Sequence, residues 1–132
     1  MNHHRAQIGV VQALTVLLTL FTAAVHLYMG LSYYDPLFIV NGLGFVGLLV
    51  ALFLPIPVVK NFRGIWRWLL VGYTALTIIM YFVVNGLGVD AMGLVTKAAE
   101  AALIVLLFLD GRRLATQTRM QITQNGRRPA LR

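Results

Sequence analysis

The chain has 132 residues, of which 59% are hydrophobic and 11% charged, and its net charge is +7. That composition is too apolar for an ordinary water-soluble domain. A chain this short can bury one modest core in water, but not several apolar runs of about 20 residues each. There are no cysteines, which excludes disulfides, thiolate chemistry, cysteine-ligated metals and a lipoprotein anchor. The basic residues stand at the ends of apolar runs, as topology signals do, so nucleic acid is not the expected partner.

The first apolar run, Ile8 to Leu31, exceeds the roughly 7–15 residues of a signal-peptide core. A retained span is therefore expected over 8–31, although Ala23-Ala24 resembles a cleavage site. Its polar residues Gln12, Thr15, Thr19, Thr22 and His26 recur in steps of three and four. This spacing puts them on one helix face, which should point at protein and not at lipid. Tyr28, Tyr33 and Tyr34 form an aromatic cluster suited to the membrane–water boundary.

Asp35-Pro36 reads as a helix start, with aspartate capping and proline in the first turn. The second span is expected over 37–54. Its small-residue face, Asn41, Gly44, Gly47 and Ala51, allows another helix to approach closely. Pro55 and Pro57 end it, and Lys60-Asn-Phe-Arg63-Gly64 reads as a short basic turn. A third span over 65–84 opens with Trp66 and Trp68 around Arg67 and repeats the polar seam at Thr74, Thr77, Tyr81 and Asn85.

The fourth span, 91–109, follows Asp90, an N-cap by residue type. It holds Lys97 and Glu100, three positions apart and so on one helix face. Charges deep in a bilayer cost roughly 2.5–3.5 kcal/mol each on insertion scales, so they need a partner, a proton or a polar cavity. Residues 111–132 form a basic tail with Arg112, Arg113 and further arginines, expected to be mobile or to lie on the headgroups.

These elements predict an all-α, four-helix transmembrane bundle, up-down-up-down, with residues 1–110 as the membrane domain. Arg5, Lys60, Arg63, Arg67 and the tail arginines all fall on one side of a four-span arrangement. The loops at Asp35 and Asp90 carry no lysine or arginine. The positive-inside rule then predicts N-in and C-in, both termini cytoplasmic, in a multi-pass protein of the cell membrane. Lys60, Arg63, Arg67, Arg112 and Arg113 are read as topology or lipid-headgroup residues.

Counting inward, His26, Asn41, Tyr81 and Lys97 fall in the outer third of the membrane, with Thr77 and Glu100 nearer the midplane. They are the candidate intramembrane polar cluster. In one reading it fixes which helices pair, with the threonines bonded back to their own helices. Lys97 alone can instead snorkel outward and leave Glu100 to be protonated. In the functional reading Glu100 exchanges protons, with burial opposing its charge, Lys97 favouring it, and His26 relaying to the outside.

Other chemistry has less to stand on. A bis-histidine haem needs two histidines at depth, and only His26 is there, since His3 and His4 lie at the opposite end. No metal-ligand spacing, no serine or cysteine nucleophile with a base and no phosphate-cradling glycine loop is present. No enzyme activity, metal or cofactor is expected.

The pattern His26-Leu-Tyr-Met-Gly, Asn41-Gly-Leu-Gly-Phe, Gly72-Tyr-Thr-Ala and Lys97-x-x-Glu100 resembles small four-span prokaryotic integral membrane proteins. The resemblance covers the spans and implies fold and location. Small multidrug-resistance transporters are similar in size and span count, but their essential carboxylate sits on the first span, where this chain has His26 and threonines. The expectation is a structural or accessory subunit, associating through its helix faces with a second copy or a larger membrane complex. The alternative is a proton-coupled small transporter or channel using Glu100 with Lys97 and His26.

Overall fold

The computed structural model describes residues 9–126. Arg5, His3, His4 and the arginines at 127, 128 and 132 lie outside the described residues. Five helices follow in order: α1 Val10–Tyr33, α2 Pro36–Phe53, α3 Pro57–Asn61, α4 Arg63–Asn85 and α5 Ala91–Gly126. Four of them, α1, α2, α4 and α5, are long and apolar enough to cross a membrane. Together they support a multi-pass membrane protein.

Local chemistry sets the helix ends. Tyr34 closes α1 in the left-handed conformation, with φ 56°. Asp35 then caps α2, its carboxylate accepting from the Leu37 N–H at 2.9 Å with Pro36 in the first turn. The turn is tight enough that a Cβ on Gly30 would come within 2.8 Å of the Ile39 backbone nitrogen. Gly86, at φ 57°, ends α4. Asp90 caps α5 by accepting from the Gly93 N–H at 3.0 Å.

Two boundaries differ from the sequence expectation. The basic turn before α4 contains the short helix α3, started by Pro57 in the first turn. More consequentially, α5 does not stop at Asp110 but continues to Gly126. Its extension carries three arginines and three glutamines with Leu114, Ala115 and Met120, all good helix formers, so polarity ends the apolar stretch without ending the helix.

The bundle closes as a ring: α1 packs on α2 and α5, and α4 packs on α2 and α5. Its apolar core is Ala23, Phe45, Leu52, Leu70, Leu103 and Leu107. Most other large apolar side chains point outward, Leu17, Val40, Leu76, Ile79 and Val105 among them. A surface of that kind is suited to hydrocarbon, where apolar exposure carries no cost.

Helix α2 buries Gly42, Phe45, Leu49 and Leu52, a stripe rotated from the expected Asn41, Gly44, Gly47 and Ala51. Gly42 makes the close approach to α1, since a Cβ there would stand 2.9 Å from the Ala23 carbonyl oxygen. Gly44 faces α4, where a Cβ would collide with the Tyr73 hydroxyl. Gly47 has open space around it, and Ala51 is half-buried. Bulky Phe45 and Leu49 fill the interior, and the small residues flank them.

Candidate functional site

Inside this mostly apolar bundle lies a polar cluster supplied by α1, α4 and α5. The expected seams account for it. Thr15, Thr19, Thr22 and His26 are buried on α1, Thr74 and Thr77 on α4, and Thr96, Lys97 and Glu100 on α5. Several hydroxyls bond back to their own helices: Thr19 to the Thr15 carbonyl at 2.7 Å, Thr74 to Leu70 at 2.7 Å and Thr96 to Met92 at 2.8 Å. Those threonines satisfy themselves and leave the ionisable side chains to face one another.

Glu100 is the centre, with no exposed surface. One of its oxygens, Oε2, accepts from Lys97 Nζ at 2.6 Å and lies 3.1 Å from the Thr77 hydroxyl. Lys97 Nζ also reaches the Thr77 carbonyl at 3.4 Å and lies 5.5 Å from the centre of the Tyr81 ring. The lysine therefore turns inward and does not snorkel. Opposite charges in contact keep the cluster's core electrically neutral, which lowers the cost of holding either ion in a low-dielectric interior.

The other oxygen, Oε1, makes no hydrogen bond among the described residues. It faces His26 Nε2 at 3.9 Å. His26 Nδ1 lies 2.8 Å from the Thr22 carbonyl, which can only accept, so Nδ1 carries a proton. Phe38 and Phe45 pack against the imidazole with ring centroids 5.9 and 5.7 Å away. These two rings from α2 close the apolar side of the site.

Thus His26, Thr77, Tyr81, Lys97 and Glu100 come together, whereas Asn41 does not join them. Asn41 is half-buried on α2, where its backbone carbonyl accepts from the Tyr73 hydroxyl at 3.1 Å. The position facing the cluster from α2 is taken by phenylalanine. Tyr81 reaches past the site, its hydroxyl donating to Asp90 Oδ1 at 3.0 Å. Asp90, outside the span, is held below the ordinary carboxylate range, first by the Gly93 N–H and then by the Tyr81 hydroxyl.

A second ionic contact lies further along the same two helices. Arg67 Nη2 donates to Asp110 Oδ2 at 2.9 Å, and both side chains are mostly buried. Arg67 is thus engaged inside the protein and does not serve only as a free headgroup or topology charge. Lys60, Arg112 and Arg113 are exposed, and Arg63 is half-exposed. Nothing in the residue spacing pairs Arg67 with Asp110, which stand 43 positions apart. Phe38 and Phe45 are likewise silent in the sequence, since their apolar type gives no sign of contact with a histidine.

No protein-family model, curated protein or solved structure matches this chain. The functional reading rests on the geometry alone. Chemically, the cluster can lock three helices in register, and it has a position between Nε2 and Oε1 for one more proton. Among the described residues no group of three histidines, cysteines or acids is placed to hold a metal ion.

Proposed function

We propose that this protein is a small multi-pass component of the cell membrane that works as a non-enzymatic accessory subunit. Its spans run up-down-up-down with both termini cytoplasmic. That orientation is supported by Lys60, Arg63, Arg112 and Arg113 on one side and by loops at Asp35 and Asp90 without lysine or arginine. The bilayer is its solvent, and a second copy or a larger membrane complex is its partner.

The observation that carries this reading is the enclosure of the Lys97–Glu100 pair at 2.6 Å. The charges are spent on each other, so the interior serves to fix helix register. The surface grooves of the bundle are lined by other residues of α2, α4 and α5. Gly47, with open space around it, then gives a neighbouring helix a place of close approach.

Purification in mild detergent from the native membrane, with mass measurement, tests the proposal. The expected result is a particle heavier than one 14.6 kDa chain, containing further copies or a companion protein. Gly47→Leu should release that partner and leave the bundle folded. A lone chain recovered from gently solubilised membranes would overturn the reading.

One observation favours the alternative of a proton-coupled transporter or channel: His26 Nε2 and Glu100 Oε1 face each other at 3.9 Å, and Oε1 has no hydrogen-bond partner among the described residues. A proton entering there would join the two in a hydrogen bond. In that case Glu100→Gln abolishes proton flux in liposomes loaded with the fraction that remains folded, whereas an accessory subunit shows no flux to lose.

A further inference from the structure

At the end of the bundle that holds Arg67 and Asp110, α4 and α5 part to leave a groove of about 290 Å³. Two kinds of side chain line it. Arg67 and Arg112 bring positive charge, while Trp68, Val71, Leu107 and Phe108 form an apolar wall. Trp68 and Phe108 meet edge to face, with centroids 5.3 Å apart and planes at 86°. We propose that this groove binds an anionic phospholipid, its headgroup phosphate on the two guanidinium groups and its acyl chain along the wall.

Three observations support the assignment. Asp110 engages only Nη2 of Arg67, at 2.9 Å, and thereby fixes the guanidinium plane. Arg67 lines the groove, and Asp110 occupies only one of its guanidinium nitrogens, so donor capacity remains on that side chain. A planar guanidinium with free donors is well matched to phosphate oxygens.

The second observation is charge. Arg67 and Arg112 against the single carboxylate of Asp110 leave the site net positive, with Arg113 next along the chain. The third is position. Arg67 lies one turn into α4 between Trp66 and Trp68, and tryptophan is the residue type that sits at the headgroup level of a membrane. Gly111 contributes by its smallness, since a Cβ there would touch Arg67 Nη1 at 3.5 Å and narrow the site.

The apolar wall decides between lipid and free phosphate. Inorganic phosphate would meet the arginines alone, whereas the four hydrophobic side chains beside them offer contact to an acyl chain. A diacyl lipid uses both halves of the groove at once. The site requires no companion subunit, so it stands or falls independently of the accessory role.

The test uses the full chain in mild detergent, incubated with phosphatidylglycerol or phosphatidylcholine of identical acyl chains, with bound lipid counted by native mass spectrometry. Phosphatidylglycerol should be retained preferentially. Each arginine near a membrane surface contributes about fivefold to anionic-lipid affinity, so Arg112→Gln should lower retention by roughly that factor. Arg67→Gln should lower it further. If that variant fails to fold, the exposed Arg112 carries the test.

Arg119→Gln, an exposed change on the same helix but outside the groove, should have no effect. Inorganic phosphate at millimolar concentration should not displace the lipid. Equal retention of the two lipids, an Arg119→Gln loss matching that of Arg112→Gln, or displacement by phosphate would each overturn the proposal.

Discussion

His26 Nε2 and Glu100 Oε1 stand 3.9 Å apart, Oε1 without a hydrogen-bond partner among the described residues, while the opposite nitrogen of the ring is tied to the Thr22 carbonyl at 2.8 Å. That tie dictates the tautomer. Neutral His26 should carry its proton on Nδ1, and nitrogen-15 chemical shifts of the labelled ring in bilayers should report it. A neutral ring protonated on Nε2 would contradict the geometry.

The Lys97–Glu100 pair should respond asymmetrically to substitution. Glu100→Gln leaves a buried ammonium beside an amide, and losing one partner of such a pair costs roughly 3–5 kcal/mol. Replacing both, as in Lys97→Met with Glu100→Met, removes the charges together and should cost much less. Denaturant titration of the single and double variants in detergent micelles checks the difference. A double variant as unstable as Glu100→Gln would mean the pair stabilises in its own right.

Two glycines of α2 should separate cleanly. A Cβ on Gly42 would stand 2.7 Å from Leu27 Cγ and 2.9 Å from the Ala23 carbonyl oxygen. Backbone cannot step aside cheaply, so Gly42→Ala should lose about 1–3 kcal/mol through overpacking. Gly47 meets nothing within 4 Å, and Gly47→Ala should leave the bundle as stable as before, or more so by up to roughly 1 kcal/mol. Parallel thermal melts of the two variants provide the measurement.

Asp90 gives a pH dependence of known sign. Its carboxylate is held below the ordinary value of 3.8 by the Gly93 N–H and the Tyr81 hydroxyl. A depressed folded value stabilises the folded state fully above the unfolded value, and the contribution disappears as pH falls through the folded one. Helix α5 should therefore loosen at its start as the medium is acidified below about pH 4, the ordinary carboxylate range. Hydrogen exchange at Gly93 and Leu94 follows this, and Asp90→Asn should flatten the profile.

Much of this architecture was readable from residue order because a bilayer imposes strong rules. Long apolar runs give four spans, Asp35-Pro36 and Asp90 mark helix starts, and the spacing of Lys97 and Glu100 puts both on one face. His26 followed from the threonine seam of α1. The rotation of α2 was not readable, because that helix is apolar all round and its buried stripe of Gly42, Phe45, Leu49 and Leu52 has no polar counterpart to betray it. Polarity points Asn41 inward, yet Phe38 and Phe45 take the places against His26. The Arg67–Asp110 bond escaped because it joins residues distant in the chain, and the extension of α5 escaped because lost hydrophobicity resembles a lost helix.

Two aspartates, Asp90 capping α5 and Asp110 within it, act as stops. Asp90 holds Tyr81 and Asp110 holds Arg67, and at 1.5 Å per residue the stops lie about 30 Å apart, close to the depth of a hydrocarbon slab. Sliding α4 past α5 would have to break one clasp or the other. A thinner or thicker bilayer must then be met by tilting both rods together, which makes this pair a gauge of fixed length.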